Sequence, residues 1–432
     1  MKKRSVNIIS LGCSKNLVDA EQLARQFEAL GYNLEYNSEN IDSEIVIVNT
    51  CGFMDAAKQE SINTILAYAR LRKSGKIGRL FVMGCLSERY LNELQAEIPE
   101  VDKYYGKFNY SDILTEIGQT YRADLKNERT LSTPSHYAYI KISEGCNRTC
   151  SYCAIPLITG RHRSRTMEDI LEEIKRFVKN GTREFQLIAQ DLSYYGLDRY
   201  KSQKLSELIQ RIADIKGVDW IRLHYAYPAN FPFDILPVIR HRQNVCNYLD
   251  LALQHISDKM LKLMRRNITK AETFDLLKRI REEVPDIHLR TTLLLGHPQE
   301  TEDDVAELID FVQEMRFERL GAFTFSNEES TYAFRNYADN ISESEKLRRM
   351  GLVMDIQQLI SEDINRSKRG KIFKTIIDKK QDNYFIGRTE YDSPEVDNEV
   401  LIPAEKQRLT IGEFYSVKIT DNTEFDLYGA VT

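Results

Sequence analysis

In the first third of the chain, short unbroken apolar runs alternate with stretches whose apolar residues recur every three or four positions. Val6–Gly12, Ile45–Thr50 and Leu80–Gly84 are runs of the first kind. Rich in β-branched residues and bounded by turn formers, they read as buried parallel strands. Val18–Leu30, stopped by Gly31, and Asp55–Arg72 have helical periodicity and supply the crossovers. The alternation predicts an α/β, doubly wound parallel-sheet domain over residues 1–130. After the polar connection Asn127–Ser135, strand runs recur at Tyr137–Ile142, Glu184–Ala189, Trp220–Tyr225, Tyr248–Leu253, His288–Leu295 and Leu320–Phe325. Helical patterns such as Met167–Lys179, Leu205–Ile215 and Thr301–Met315 lie between them. Six such units are too few to close an eight-stranded barrel, so residues 135–365 are expected to form an open (β/α)6 partial barrel with a lateral mouth. The charged stretch Ser342–Arg369, ended by Gly370, reads as a connector helix. Five short β-runs follow, at Lys371–Ile377, Tyr384–Thr389, Val400–Pro403, Phe414–Thr420 and Leu427–Val431. They predict a small antiparallel β-barrel over residues 368–432.

Composition narrows the class. Of the 432 residues, 42% are hydrophobic and 29% charged, as in a soluble globular protein. No apolar run reaches the roughly 18–20 residues needed to cross a bilayer. The basic amino-terminal residues lack an apolar signal core and lead instead into the first strand. Seven cysteines in a chain this long argue against a disulfide framework and for a reducing, cytoplasmic setting. The net charge of −5 is concentrated at the end, where residues 370–432 hold 8 basic and 12 acidic side chains. An acidic barrel is expected to repel RNA and attract a basic protein.

Cys146, Cys150 and Cys153 fall on one short loop after the first central strand, at C-x3-C-x2-C spacing. Three thiolates can hold three irons of a cubane cluster and leave the fourth iron open. A structural zinc site is the alternative, and His162 is the nearest candidate for its fourth ligand. Cys13, Cys51 and Cys85 each follow one of the three amino-terminal strands. In a parallel sheet, groups beyond the carboxyl ends meet at one edge, so these three form a second expected trio. The plain alternative is three unrelated buried thiols. Asn49 and Thr50 either surround that trio with hydrogen bonds or cap the next helix. Cys246 has no partner pattern and reads as a small buried hydrophobe.

The sequence Glu-Gly-Cys-Asn-Arg-Thr-Cys-Ser-Tyr-Cys (144–153) resembles the cluster loop of radical S-adenosylmethionine (SAM) enzymes. Leu-Gly-Cys-Ser-Lys-Asn-Leu-Val-Asp-Ala-Glu (11–21) and Val-Asn-Thr-Cys-Gly-Phe (48–53) resemble the methylthiotransferase family, and most closely its RimO-type branch. The tRNA-modifying MiaB-type branch usually carries Gln-Met-Asn in place of Ser-Lys-Asn. The resemblance extends over essentially the whole chain, with a central radical-SAM partial barrel and a carboxyl-terminal TRAM domain. It implies two 4Fe–4S clusters, a catalytic one on Cys146, Cys150 and Cys153 and a sulfur-presenting one on Cys13, Cys51 and Cys85. It also implies SAM as radical source and methyl donor. Tyr152 is expected near the SAM adenine or in loop packing, Gln190 and Asp191 near its methionine end, and Thr292 and Gly296 along the ligand.

The family usually reads Gly-Phe-Pro-Gly-Glu-Thr where this chain has Gly296-His297-Pro298-Gln299-Glu300-Thr301, and His297 is expected to pack in place of Phe. Gln254-His255 at a strand end reads as a satisfied core pair or as part of the site. Gly160–Arg165 is a basic run that either receives substrate or organises the cluster loop. The expected activity is methylthiolation of the β-carbon of an aspartate in a basic small-subunit ribosomal protein, the twelfth, acting on it free or on the ribosomal particle. A donor such as flavodoxin or ferredoxin would supply electrons, with no membrane and no tRNA involved. The alternatives are a tRNA adenosine methylthiotransferase and a non-catalytic iron–sulfur or zinc ribosome-associated factor.

Overall fold

The computed structural model describes residues 4–38 and 43–432. Met1–Lys3, at the start of the segment leading into the first strand, lie outside the described residues. Five parallel strands build the first sheet: β1 (Ser5–Ser10), β2 (Asn33–Tyr36), β3 (Ile45–Thr50), β4 (Arg79–Gly84) and β5 (Lys103–Tyr104). Their order is β2-β1-β3-β4-β5. The three strands that precede cysteines are therefore neighbours, and the order reverses between β1 and β3, where ligand crevices form in such sheets. β2 and β5, which the apolar pattern does not mark, are short edge strands.

The central sheet is parallel and open, with the order β13-β12-β11-β10-β9-β6. It consists of β6 (Tyr137–Lys141), β9 (Glu184–Ile188), β10 (Trp220–Ala226), β11 (Val245–Gln254), β12 (His288–Leu295) and β13 (Arg319–Thr324). The two-residue strands β7 (Ser143–Glu144) and β8 (Arg163–Ser164) pair antiparallel beside it. The main hydrophobic core lies between this sheet and its helices, with Ile170, Phe185, Leu208, Leu249, Leu293 and Phe311 among its buried members.

The last five strands are β14 (Ile372–Gln381), β15 (Tyr384–Thr389), β16 (Val400–Pro403), β17 (Phe414–Asn422) and β18 (Leu427–Val431), and they close into a barrel. This is the small antiparallel barrel expected, with one parallel pair. Five strands cannot alternate direction all the way round, and β16 pairs with β18 in parallel.

The barrel docks against the amino ends of the central strands. Glu184, the first residue of β9, pairs with Arg388 at 2.7 Å and Arg222 at 3.1 Å. Arg319 pairs with Asp392, Arg290 with Asp397 at 3.3 Å, and His136 with Asp378 at 2.8 Å. Glu395 accepts from Tyr137 and Tyr139, while the Glu390 carboxylate faces the Asn247 N–H. Five of the twelve acidic residues in the last segment are thus turned inward. Without those five and Arg388, the segment has seven acidic and seven basic residues. The expectation that an acidic barrel selects a basic partner therefore loses its physical basis.

Candidate active site

The loop after β6 is built as a rigid finger. β7 and β8 pinch its neck, and Cys146 N–H donates to Gly160 O at 3.1 Å. Gly145 has φ +72°, and any Cβ there would lie 2.2 Å from Arg161 O, so only glycine fits. The basic run 160–165 accordingly organises this loop: Arg165 pairs with Glu173, while Arg161 and Arg163 remain exposed. At the tip, Ser151 N–H donates to Met264 O at 3.0 Å and Ser151 O accepts from Ala333 N–H at 2.7 Å. The Ser151 hydroxyl meets His297 Nε2 at 3.1 Å. His297 also packs edge-on against Phe325 and Tyr337, as a substitute for Phe should, and gains a polar tie to the finger.

N–H donors point at the loop's sulfurs. Arg148 N–H approaches Cys146 Sγ at 3.4 Å, and an Arg266 Nη–H approaches Cys150 Sγ at 3.3 Å. The Tyr227 ring lies between the two guanidinium groups, 3.9 Å from that of Arg148 and 4.1 Å from that of Arg266. Burial pushes the Cys146 thiol up to about 11 and raises Cys153 as well.

The amino-terminal trio sits at the switch point of its sheet. A single side chain, Asn16, ties the three strand ends together. It donates to Leu11 O at 3.1 Å and Thr50 O at 2.9 Å, and its Oδ1 meets Cys85 Sγ at 3.3 Å. Asn49 donates to Asn16 O at 2.8 Å, and Thr50 donates to Met83 O at 2.6 Å. Both therefore hold the strand-end backbone. A Cβ at Gly12 would lie 2.7 Å from Cys51 Sγ, so this glycine leaves room for the thiol. Burial drives Cys85 up to about 12 and raises Cys51. Burial also pushes Cys13 upward, but Lys15, the Asn16 N–H and Lys107 outweigh it, leaving this thiol lowered. Cys13 is solvent-accessible.

The amino-terminal trio touches the segment that follows the cluster loop. Cys85 packs against Ala154, which directly follows Cys153, and against Ile158 in the helix after it. The domains are pinned on one side by Asp19, which bridges Lys141 and Lys107, and by Arg129, which joins Glu21 at 2.6 Å to Glu173 at 2.7 Å. On the other side Glu328, 3% exposed, grips Arg89 at 2.5 Å and Lys58 at 3.2 Å. Arg89 also donates to Gly52 O, next to Cys51.

The remaining candidates collect at the carboxyl ends of the central strands, with some changes of role. Tyr152 packs among Met260, Met264, Leu294 and Phe325, and its hydroxyl meets Arg266 at 3.3 Å. Gln190 and Thr292 are half-buried beyond β9 and on β12. Asp191 was expected to meet an ammonium, but both its oxygens are engaged here, one by Arg148 at 2.7 Å and one by Ser193 N–H at 2.9 Å. It fixes Arg148 over Tyr227. Gly296 was expected to admit a ligand, but the space a Cβ would take is filled by Lys346 Cγ at 2.3 Å. His255 accepts two backbone N–H bonds and faces Glu300, which Arg349 neutralises. That pair supports the Gly296–Glu300 turn. Cys246 is buried beside Trp220 and Tyr248. Asn16, Arg148, Tyr227, Arg266 and Glu328 were not singled out from the sequence. The first two lie inside motifs already quoted, whereas Tyr227, Arg266 and Glu328 carry no such signal.

Iron–sulfur clusters suit this donor chemistry. Each trio is three thiols with N–H groups or cations aimed at sulfur, the environment that cluster thiolates require. Among the described residues no three Cys, His, Asp or Glu side chains converge on a point that could hold a single metal ion. His162 is turned to Ser164 Oγ at 3.1 Å and stacks near Tyr194.

Comparison with known proteins agrees with this layout. The model of the Radical SAM superfamily matches residues 140–312, that of the Uncharacterized protein family UPF0004 matches 5–106, and the TRAM domain model matches 370–432. The chain is 57% identical to the ribosomal protein uS12 methylthiotransferase RimO of Parabacteroides distasonis, over 100% of both chains. It is 58% identical to that of Porphyromonas gingivalis, again over 100% of both. Among solved structures, the radical SAM methyltransferase TsrM of Kitasatospora setae superposes with a TM-score of 0.56 at 14% identity, covering 75% of each chain. The cobalamin-dependent radical SAM enzyme OxsB gives a TM-score of 0.52 at 11% identity, covering 82% of this chain and 56% of that one. These two show likeness of fold.

Proposed function

The chain belongs to the RimO family of ribosomal protein uS12 methylthiotransferases, and on that premise we propose that it installs a methylthio group on the β-carbon of an aspartate of uS12. As a radical SAM enzyme it uses SAM and iron–sulfur clusters. In this reading Cys146, Cys150 and Cys153 hold one cluster, and Cys13, Cys51 and Cys85 the other. When bound, these groups and SAM supply the radical, sulfur and methyl chemistry.

The protein's own residues position and enclose. Asp191 sets Arg148, Arg148 and Arg266 clamp Tyr227, and Arg266 and the Arg148 N–H present donors to the loop's sulfurs. Ser151, held from three directions, keeps the finger still. Asn16 keeps three strand ends in register. The Cys85–Ala154–Ile158 contact joins the amino-terminal trio to the helix that follows the cluster loop. That contact is the observation that carries the proposal, since sulfur delivery requires both trios on one chamber. A flavodoxin- or ferredoxin-class donor and a reducing cytoplasm complete it. Among the described residues no helix is long and apolar enough to cross a membrane.

Two measurements test the reading. Anaerobic reconstitution should give iron and sulfide for two clusters, falling to one when either trio is changed to alanine. Mass spectrometry of uS12 from cells with and without this chain should show the methylthio group only in the former, with tRNA nucleosides unchanged. A change confined to tRNA nucleosides would transfer the chain to the adenosine-modifying alternative.

A further inference from the structure

Lys15 is the second residue of the helix Ser14–Ala29, two residues after Cys13, and is only 6% exposed. The buried lysines Lys107, Lys141 and Lys346 each hold a carboxylate. Lys15 makes no ion pair among the described residues, and its Nζ instead sits 3.4 Å over the ring of Tyr225. Tyr225, the penultimate residue of β10, has φ +65°, a strained conformation for a bulky residue. Its N–H is held by Asp250 at 3.3 Å. A strained residue of the central domain thus seats a cation of the amino-terminal domain beside the trio. Buried charge without a counter-charge is unfavourable unless an anion joins it.

We propose that Lys15 is the specificity-determining residue that pairs with the carboxylate of the target aspartate, holding its β-carbon between the two trios. This rests on the aspartate reading above. The Tyr225 ring fixes the direction of the ammonium through a cation–π contact, so the pair forms in a desolvated chamber where an amide in place of the carboxylate would leave the cation unpaired. Of the titratable groups around Lys15, Asp250 and Arg290 lie on the central strands, Lys107 beside the trio, and Cys13 and His224 also feel its charge. The first two are coupled to each other, and Lys107 is held by Asp19.

A double-mutant cycle tests this. Reconstituted wild-type, K15M and K15Q enzymes are titrated with uS12 carrying either the native target Asp or Asn at that position, and iron content is measured in each. The wild type should favour Asp by at least about tenfold, and both variants should lose that preference while retaining iron for two clusters. K15R should keep part of it. Undiminished Asp preference in K15M and K15Q overturns the proposal. So does loss of iron from the amino-terminal trio in both variants, which would assign Lys15 to the cluster. Absence of uS12 modification by the wild type would instead defeat the functional reading on which the proposal stands.

Discussion

His297 illustrates what one residue decides. Burial pushes its pKa down to about 4 from an ordinary 6.5. Between those values the folded state binds fewer protons than the unfolded one, so this contribution to stability is complete above pH 6.5 and is lost as pH falls toward 4. The full difference is worth roughly 3 kcal/mol. H297F should retain the packing against Phe325 and Tyr337 and flatten the loss of stability of the apo-protein between pH 6.5 and 4, as followed by thermal unfolding. An unchanged profile would mean that other groups set the acid sensitivity. The cysteines were legible in the sequence because their spacing and strand-end positions are local facts. The two faces of His297, one apolar and one bonded to Ser151, were not, because Ser151 lies 146 positions away. Asp191 and Gly296 were recognised as site residues, yet their partners, Arg148 and Lys346, come from other elements.

At the scale of elements, apolar runs located most strands of the two larger sheets and all five of the barrel, because a strand buried on both faces is a short uninterrupted pattern. The docking of the barrel was invisible for the opposite reason. Arg388 and Glu184 are 204 residues apart, and each alone reads as an ordinary surface charge. Their pair is fully buried, so E184Q should leave Arg388 and Arg222 undercompensated and destabilise the protein by about 3–5 kcal/mol in urea unfolding. By contrast, D421A removes a pair whose members are 47% and 61% exposed and should change stability by less than about 0.5 kcal/mol. Equal effects of the two substitutions would show that the junction is not held by its ions.

For the whole molecule, the question is how two sheets with their own cores are made to face each other. The pin at Asp19 and Arg129 lies beside β6, close to where the chain passes from one sheet to the other, whereas the Glu328 clasp closes the far side. Removing the clasp should loosen the chamber without separating the domains. E328Q should therefore raise the ratio of 5′-deoxyadenosine formed to uS12 modified several-fold, measured in anaerobic assays, with iron content unchanged. A preserved ratio would assign the clasp to stability alone. That each trio lies beyond the carboxyl ends of its strands was readable from the sequence, but the contact of Cys85 with Ala154 and Ile158 was not. No pattern within either domain encodes the angle at which they meet.

The inward-turned acids of the barrel bear on how such proteins can be recombined. Exchanging the last segment between family branches would strand Arg290 and Arg319 without their counterions and leave Glu184 without Arg388. A hybrid that failed for that reason would say nothing about which macromolecule the segment recognises. Grafts that carry the matching arginines along with the barrel would separate compatibility of the seam from choice of substrate.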